Sequence, residues 1–177
     1  MGIKIQDVAY VRFSAPDLDE MEAFLTDFGM VRAERTGNGL YMHGLDENPF
    51  LHVTHLGKPA FVAAKFKAAS IEDLEALARE EKLSIGRLDG PGGGSMVQLT
   101  DPNGFRIEVV AGRTPVARTD LSAREPINDA YATPRLNALK RLAKGPSLVR
   151  RLGDCVLNVN NFRGSEAWYK SRLGLFR

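Results

Sequence analysis

The signals for strands and helices between residues 7 and 111 follow one order, strand, helix and three strands, and then follow it again. Residues 7–13 read as a strand, and the turn Ala15-Pro16-Asp17 leads to a helix capped by Asp17 or Asp19. Its apolar residues Met21, Phe24, Leu25 and Phe28 recur at helical spacing, and Gly29 ends it. Strands over 30–35, 39–43 and 50–55 follow, with turn chemistry in Gly37-Asn38-Gly39 and in 45–49. The second round places a strand over 60–67 and a helix from the Ser70 cap through Glu81, with Ile71, Leu74, Leu77 and Ala78 on one face. Strands over 84–88, 95–100 and 105–111 complete it, the last two joined by Asp101-Pro102-Asn103-Gly104. Neither unit can bury its sheet face alone. Pairing the two into one curved mixed sheet, with the helices outside, predicts an α+β domain over residues 1–112 built from two βαβββ modules.

Beyond it, residues 113–151 read as a linker carrying one short helix, marked by Leu136, Leu139, Leu142 and Ala143 and ended by Gly145-Pro146. In 152–177 the order starts a third time. A strand over 155–159 precedes a helix that Ser165 can cap, with Trp168, Tyr169 and Leu173 apolar and Gly174 closing it. Sequence then stops after the βα of a third module. An orphan strand and an apolar helix leave an open edge and an exposed patch, so this segment is expected to dock on the first domain or to swap into a second copy, and a homodimer is the expectation.

Charge divides at the same boundary. Residues 1–112 hold 11 Lys/Arg against 17 Asp/Glu, and the remainder 13 against 5. The basic part lacks the interleaved aromatics of a base-stacking platform, so nucleic acid is not the expected partner. No apolar run approaches the length of a bilayer span, and the start of the chain has no signal-peptide core, so no membrane is expected either. With Cys155 as the single cysteine, a disulfide within the chain is excluded and a reducing, cytoplasmic setting is the expectation.

Three stretches carry a family resemblance: Tyr10 to Leu18 with Phe24 and Gly29; Asp101-Pro102-Asn103-Gly104-Phe105 with Glu108; and Leu152 to Leu157 with Trp168, Tyr169 and Leu173-Gly174-Leu175. In this order they resemble the vicinal oxygen chelate superfamily of glyoxalases, bleomycin-resistance proteins and type I extradiol dioxygenases. One complete paired domain, a linker and the opening of another resembles the two-domain extradiol enzymes of aromatic catabolism. Those are oxidoreductases that open a catechol-like ring with O2. The resemblance implies a metal-free first domain and, in the second, Fe(II) or Mn(II) held by two His and one Glu, with open positions for a catecholate and O2.

Carried over residue by residue, the resemblance puts the first ligand position of the complete domain at Tyr10, the second near Ala63 and the third at Glu108. Only Glu108 is a ligand type, and it reads as a sheet residue satisfied by a neighbouring donor. In the partial domain the first ligand position is Asp154, the one candidate metal contact of the chain. The implied ion is therefore not expected to be bound here, and an intact ring-cleaving site cannot be assembled from these residues. The alternative is a metal-independent protein of the bleomycin-resistance kind that binds an aromatic small molecule, with Tyr41, His52, Phe61 and Phe66 as candidate lining.

His43 and His52 invite a metal site across a hairpin, whereas His52 and His55, three apart on a strand, project to opposite faces. Gly90 to Gly94 lacks the lysine and helix start of a phosphate loop and reads as a loop at the rim of the sheet cavity. Cys155 reads as a packed thiol.

Overall fold

The computed structural model describes residues 3–119, 127–135 and 147–175. The expected linker helix on Leu136, Leu139, Leu142 and Ala143 lies outside the described residues. Among the described residues eight strands form one sheet: β1 (Ile5–Ala15), β2 (Val31–Arg35), β3 (Gly39–His43), β4 (His52–Leu56), β5 (Ala60–Ala68), β6 (Gly86–Arg87), β7 (Ser95–Thr100) and β8 (Arg106–Ala111). Their order is β2-β3-β4-β1-β5-β8-β7-β6. Each module is a four-strand half with its first strand at the centre. The halves meet where β1 runs antiparallel to β5, while β1/β4 and β5/β8 are parallel. The mixed α+β sheet of two βαβββ modules is thus present.

The helices begin and end where local chemistry dictates. For α1 (Leu18–Phe28), the Asp17 carboxylate accepts from the N–H groups of Asp19 and Glu20 at 2.7 and 3.0 Å, and Gly29 closes the helix in the left-handed region. For α2 (Ile71–Glu81), the Ser70 hydroxyl accepts from Asp73 N–H at 3.1 Å. Both helices cover the same face of the sheet. Leu18 and Leu25 pack with Leu40 and Met42. Leu74, Leu77 and Ala78 pack with Ala64, Phe66, Val97, Ile107 and Val109 in the larger core. On the other face a smaller cluster gathers Tyr10, Tyr41, Phe50, Val53, Leu88 and Val110.

The third module takes a different form from the one expected. No strand forms over 155–159, because no partner strand lies beside it among the described residues; exposure alternates there, with Cys155 and Leu157 packed on the larger core. The helix α3 (Phe162–Leu173) is capped by Asn161, whose side chain accepts from Gly164 N–H at 3.0 Å, and not by Ser165. Ser165 is buried one turn inside, its hydroxyl accepting from the Asn103 amide at 2.8 Å. Of the two expected fates for this segment, docking on the first domain is the one seen. Leu173 is fully buried in the larger core, Tyr169 donates to Asp101 Oδ2 at 3.1 Å, and Arg172 pairs with Glu81 at 2.9 Å. Upstream, the carbonyls of Val149 and Arg150 accept from Leu45 N–H at 3.0 and 3.2 Å.

Candidate functional site

Register across the three central strands brings together what the chain holds for chemistry. Tyr10 on β1 stands opposite Lys65 on β5, and Lys65 stands opposite Glu108 on β8, a row on the face that α1 and α2 leave uncovered. Irregularities between Val8 and Tyr10 and between Arg12 and Phe13 shift the β1/β5 register. Ala63 therefore lies opposite Arg12, two residues off the row, and Lys65 occupies the position expected near Ala63.

The row is closed electrostatically. Glu108 is fully buried, and the Lys65 ammonium makes an ion pair with its carboxylate. Arg12 Nη1 approaches the other oxygen at 3.4 Å. The same ammonium lies 4.7 Å from the centre of the Tyr10 ring, and the Arg113 guanidinium covers the rings of Tyr10 and Phe50 at 4.8 and 4.1 Å. Burial pulls the Lys65 amine down to about 8 against the opposing pull of Glu108. Burial also pushes the Tyr10 phenol well above its ordinary value, so it stays protonated.

A three-donor Fe(II) or Mn(II) centre does not fit this row. It would need anionic or neutral lone pairs converging on an ion. Here one position is a neutral phenol, the second is itself a cation, and the carboxylate is already neutralised by that cation. Lys65 supplies the positive charge that Glu108 would otherwise require from elsewhere.

Beside the row is a cavity of about 110 Å³, lined by Arg12, Tyr41, His55, Lys65, Arg87 and Asp89 among others. The residues just before the glycine cluster, Arg87 to Asp89, line it, whereas Gly90 to Gly94, expected at its rim, are not among the lining residues. A side chain at Gly90 would run into the Tyr41 ring, and one at Gly92 would meet Pro49 and the Thr114 carbonyl, so at these two positions close approach requires glycine.

The remaining candidates lie apart. His52 pairs in register with Met42, not His43, so the two imidazoles project to opposite faces and the hairpin metal site is not assembled. The His52 ring stacks on Phe13 at 5.2 Å and shares a hydrogen bond of 3.3 Å with Thr54 Oγ1. Burial pushes it down to about 4. Phe61 stands edge-on to Phe13, and Phe66 lies in the core beneath α2, so of the four aromatics expected to line one cavity only Tyr41 does. Asp154 is exposed at a broad cleft between the carboxy-terminal segment and the sheet. Cys155 beside it is half-buried against the larger core, its thiol pushed up by burial first and Asp154 second. Among the described residues no three His, Cys, Asp or Glu side chains are grouped to hold a metal ion. Nor is any helix there long and apolar enough to cross a membrane.

No motif or spacing marks Lys65, Arg12 or Arg113 in the sequence. The legible signal for Lys65 is a lysine inside Ala63-Ala64-Lys65-Phe66, a stretch otherwise apolar enough for a central strand.

No family model and no curated protein matches the chain. Solved structures do. The Mn(II)-bound glyoxalase from Novosphingobium aromaticivorans matches with a TM-score of 0.61 at 20% identity, over 68% of this chain and 43% of that one. Homoprotocatechuate 2,3-dioxygenase from Arthrobacter globiformis matches with a TM-score of 0.57 at 24% identity, over 66% and 39%. An extradiol ring-cleaving dioxygenase from B. fuscum matches with a TM-score of 0.57 at 26% identity, over 66% and 35%. In each case the match takes in less than half of the other protein.

Proposed function

The chain has the vicinal oxygen chelate fold, and on that premise we propose that residues 1–112 are a metal-free domain of a protein resembling the extradiol ring-cleaving dioxygenases, which by itself opens no catechol ring. The observation that supports this reading is the buried Lys65–Glu108 pair, a built-in cation on the only carboxylate of the row. Residues 113–151 then act as a linker and 152–177 as the docked start of a second unit, in a cytoplasmic protein with no nucleic-acid or membrane partner. Asp154 enters as a single exposed oxygen donor, too few for an iron centre alone.

The test is direct. The purified chain is exposed anaerobically to Fe(II) or Mn(II), desalted, assayed for metal, and then given 3,4-dihydroxyphenylacetate and O2. Metal well below one ion per chain and no ring-fission absorbance are expected, with D154N indistinguishable from the parent. One tightly held ion with turnover would overturn the proposal. Homodimerisation is proposed from the open backbone edge at 155–159, and a monomeric mass by light scattering at high micromolar concentration would remove it.

A second reading, metal-independent binding of an aromatic small molecule, is favoured by the cavity beside the row.

A further inference from the structure

The cavity holds more positive charge than its buried carboxylate consumes. Lys65 and Arg12 both lean on Glu108, two cations on one anion. Arg12 Nε is buried and has no hydrogen-bond partner among the described residues, although about a quarter of its side chain, 23%, remains open to solvent. A buried N–H of a charged group left unpaired costs free energy that an incoming acceptor would recover. At the rim Arg87 adds a third cation and Asp89 a second anion, so among the lining residues and Glu108 one positive charge is left over, with Glu34 acting on Tyr41 from outside the lining. His55, facing the same space, is held below its ordinary value by burial first and by the Arg12 charge second, with Lys65 acting the same way and Glu108 opposing. It is a neutral imidazole in a positive field. Tyr41, whose phenol burial pushes up, keeps its proton and can donate it in a hydrogen bond.

We propose that this cavity is a binding site for a small organic acid, whose carboxylate sits against Arg12 with Lys65 behind it and the Tyr41 hydroxyl and His55 alongside. The volume sets the size. At about 110 Å³ the space is smaller than the ~150 Å³ cavity that takes benzene, so it admits a carboxylate and at most part of one ring. Val53, Leu88 and Met96 supply apolar walls for that ring. This site rests on the metal-free reading of the row, because an ion on Glu108 would displace Lys65 into the same space.

The experiment uses the full chain freed of metal with EDTA. Benzoate is titrated by calorimetry and by NMR, with benzamide as the neutral compound of the same shape. Saturable one-to-one binding of benzoate is expected, at least tenfold weaker for benzamide and for R12Q, and kept within a few-fold by R12K. Shifts should appear at the rings of Tyr41 and His55 and not at His52, which lies on the other face; this readout needs no variant and decides the matter if R12Q fails to fold. Absence of saturable binding up to tens of millimolar, equal affinity for benzamide, or unchanged benzoate affinity in a folded R12Q would each overturn the site. Those failures are separable from failure of the metal-free reading, which is scored by metal retained per chain.

Discussion

Lys65 and Glu108 face each other in register across the parallel strands β5 and β8 as an ion pair closed to solvent, with side chains 3% and 0% exposed. Removing one member of such a pair strands the other, whereas replacing both removes two desolvation costs together. K65M should therefore cost about 3 kcal/mol, moderated by Arg12, which already stands 3.4 Å from Glu108. The double variant K65M/E108L should lose less than either K65M or E108L. Urea denaturation of the four proteins measures this coupling, and additive losses would show that the pair does not act as a unit.

His52 gives the fold a defined acid sensitivity. Its imidazole is held at about 4 by burial, against an ordinary value of 6.5. Between those values the unfolded chain binds a proton that the folded chain refuses, so stability is full above pH 6.5 and falls as the pH drops toward 4. The loss attributable to this group is on the order of 3 kcal/mol. H52F keeps the stack on Phe13 and removes the titration, so the difference in stability between parent and variant should change across that window. Parallel curves would sink the assignment.

How much of this was legible beforehand follows from where the physics is local. Caps and turns, such as Asp17, Ser70 and Asp101-Pro102-Asn103-Gly104, are chemistry between near neighbours, and they fixed both modules to within a few residues. The row Tyr10–Lys65–Glu108 depends on register between strands far apart in sequence, and the β1 irregularities displaced the middle member from Ala63 to Lys65. The expected 155–159 strand failed for a related reason: alternation marks a segment able to pair, but a strand exists only where a partner's backbone is in reach. Ser165 misled because a serine four residues past a better Asx cap can serve another loop, here Asn103.

The docking of α3 carries its own stability prediction. Leu173 has no exposed surface and lies among the residues beneath α2, while Val156 in the same segment is 83% exposed. L173A should cost about 2–4 kcal/mol, the transfer term plus a cavity term, and V156A should stay within about 0.5 kcal/mol of the parent. Thermal or urea unfolding separates the two. Equal small effects would mean that the helix does not rest on the core in solution.

Gly29 links the end of α1 to the strap formed by residues 147–150, and a pair of glycines isolates that link. Gly29 and Gly104 both sit in the left-handed region, at φ of 106° and 85°, so alanine at either adds a backbone cost of roughly 1–2 kcal/mol. At Gly104 a new Cβ meets nothing within 4 Å among the described residues. At Gly29 it would fall on the carbonyl of Ser147, backbone that cannot turn aside as a flexible side chain would. G29A must therefore lift the strap, losing the bond from Val149 N–H to the Gly29 carbonyl at 3.3 Å and loosening those from Leu45 N–H to Val149 and Arg150. G29A is expected to be the more destabilised of the two, with faster amide exchange at Leu45 and Val149 while β1 and β5 stay protected. If G29A and G104A lose the same stability and exchange alike, the strap does not rest on Gly29 in solution.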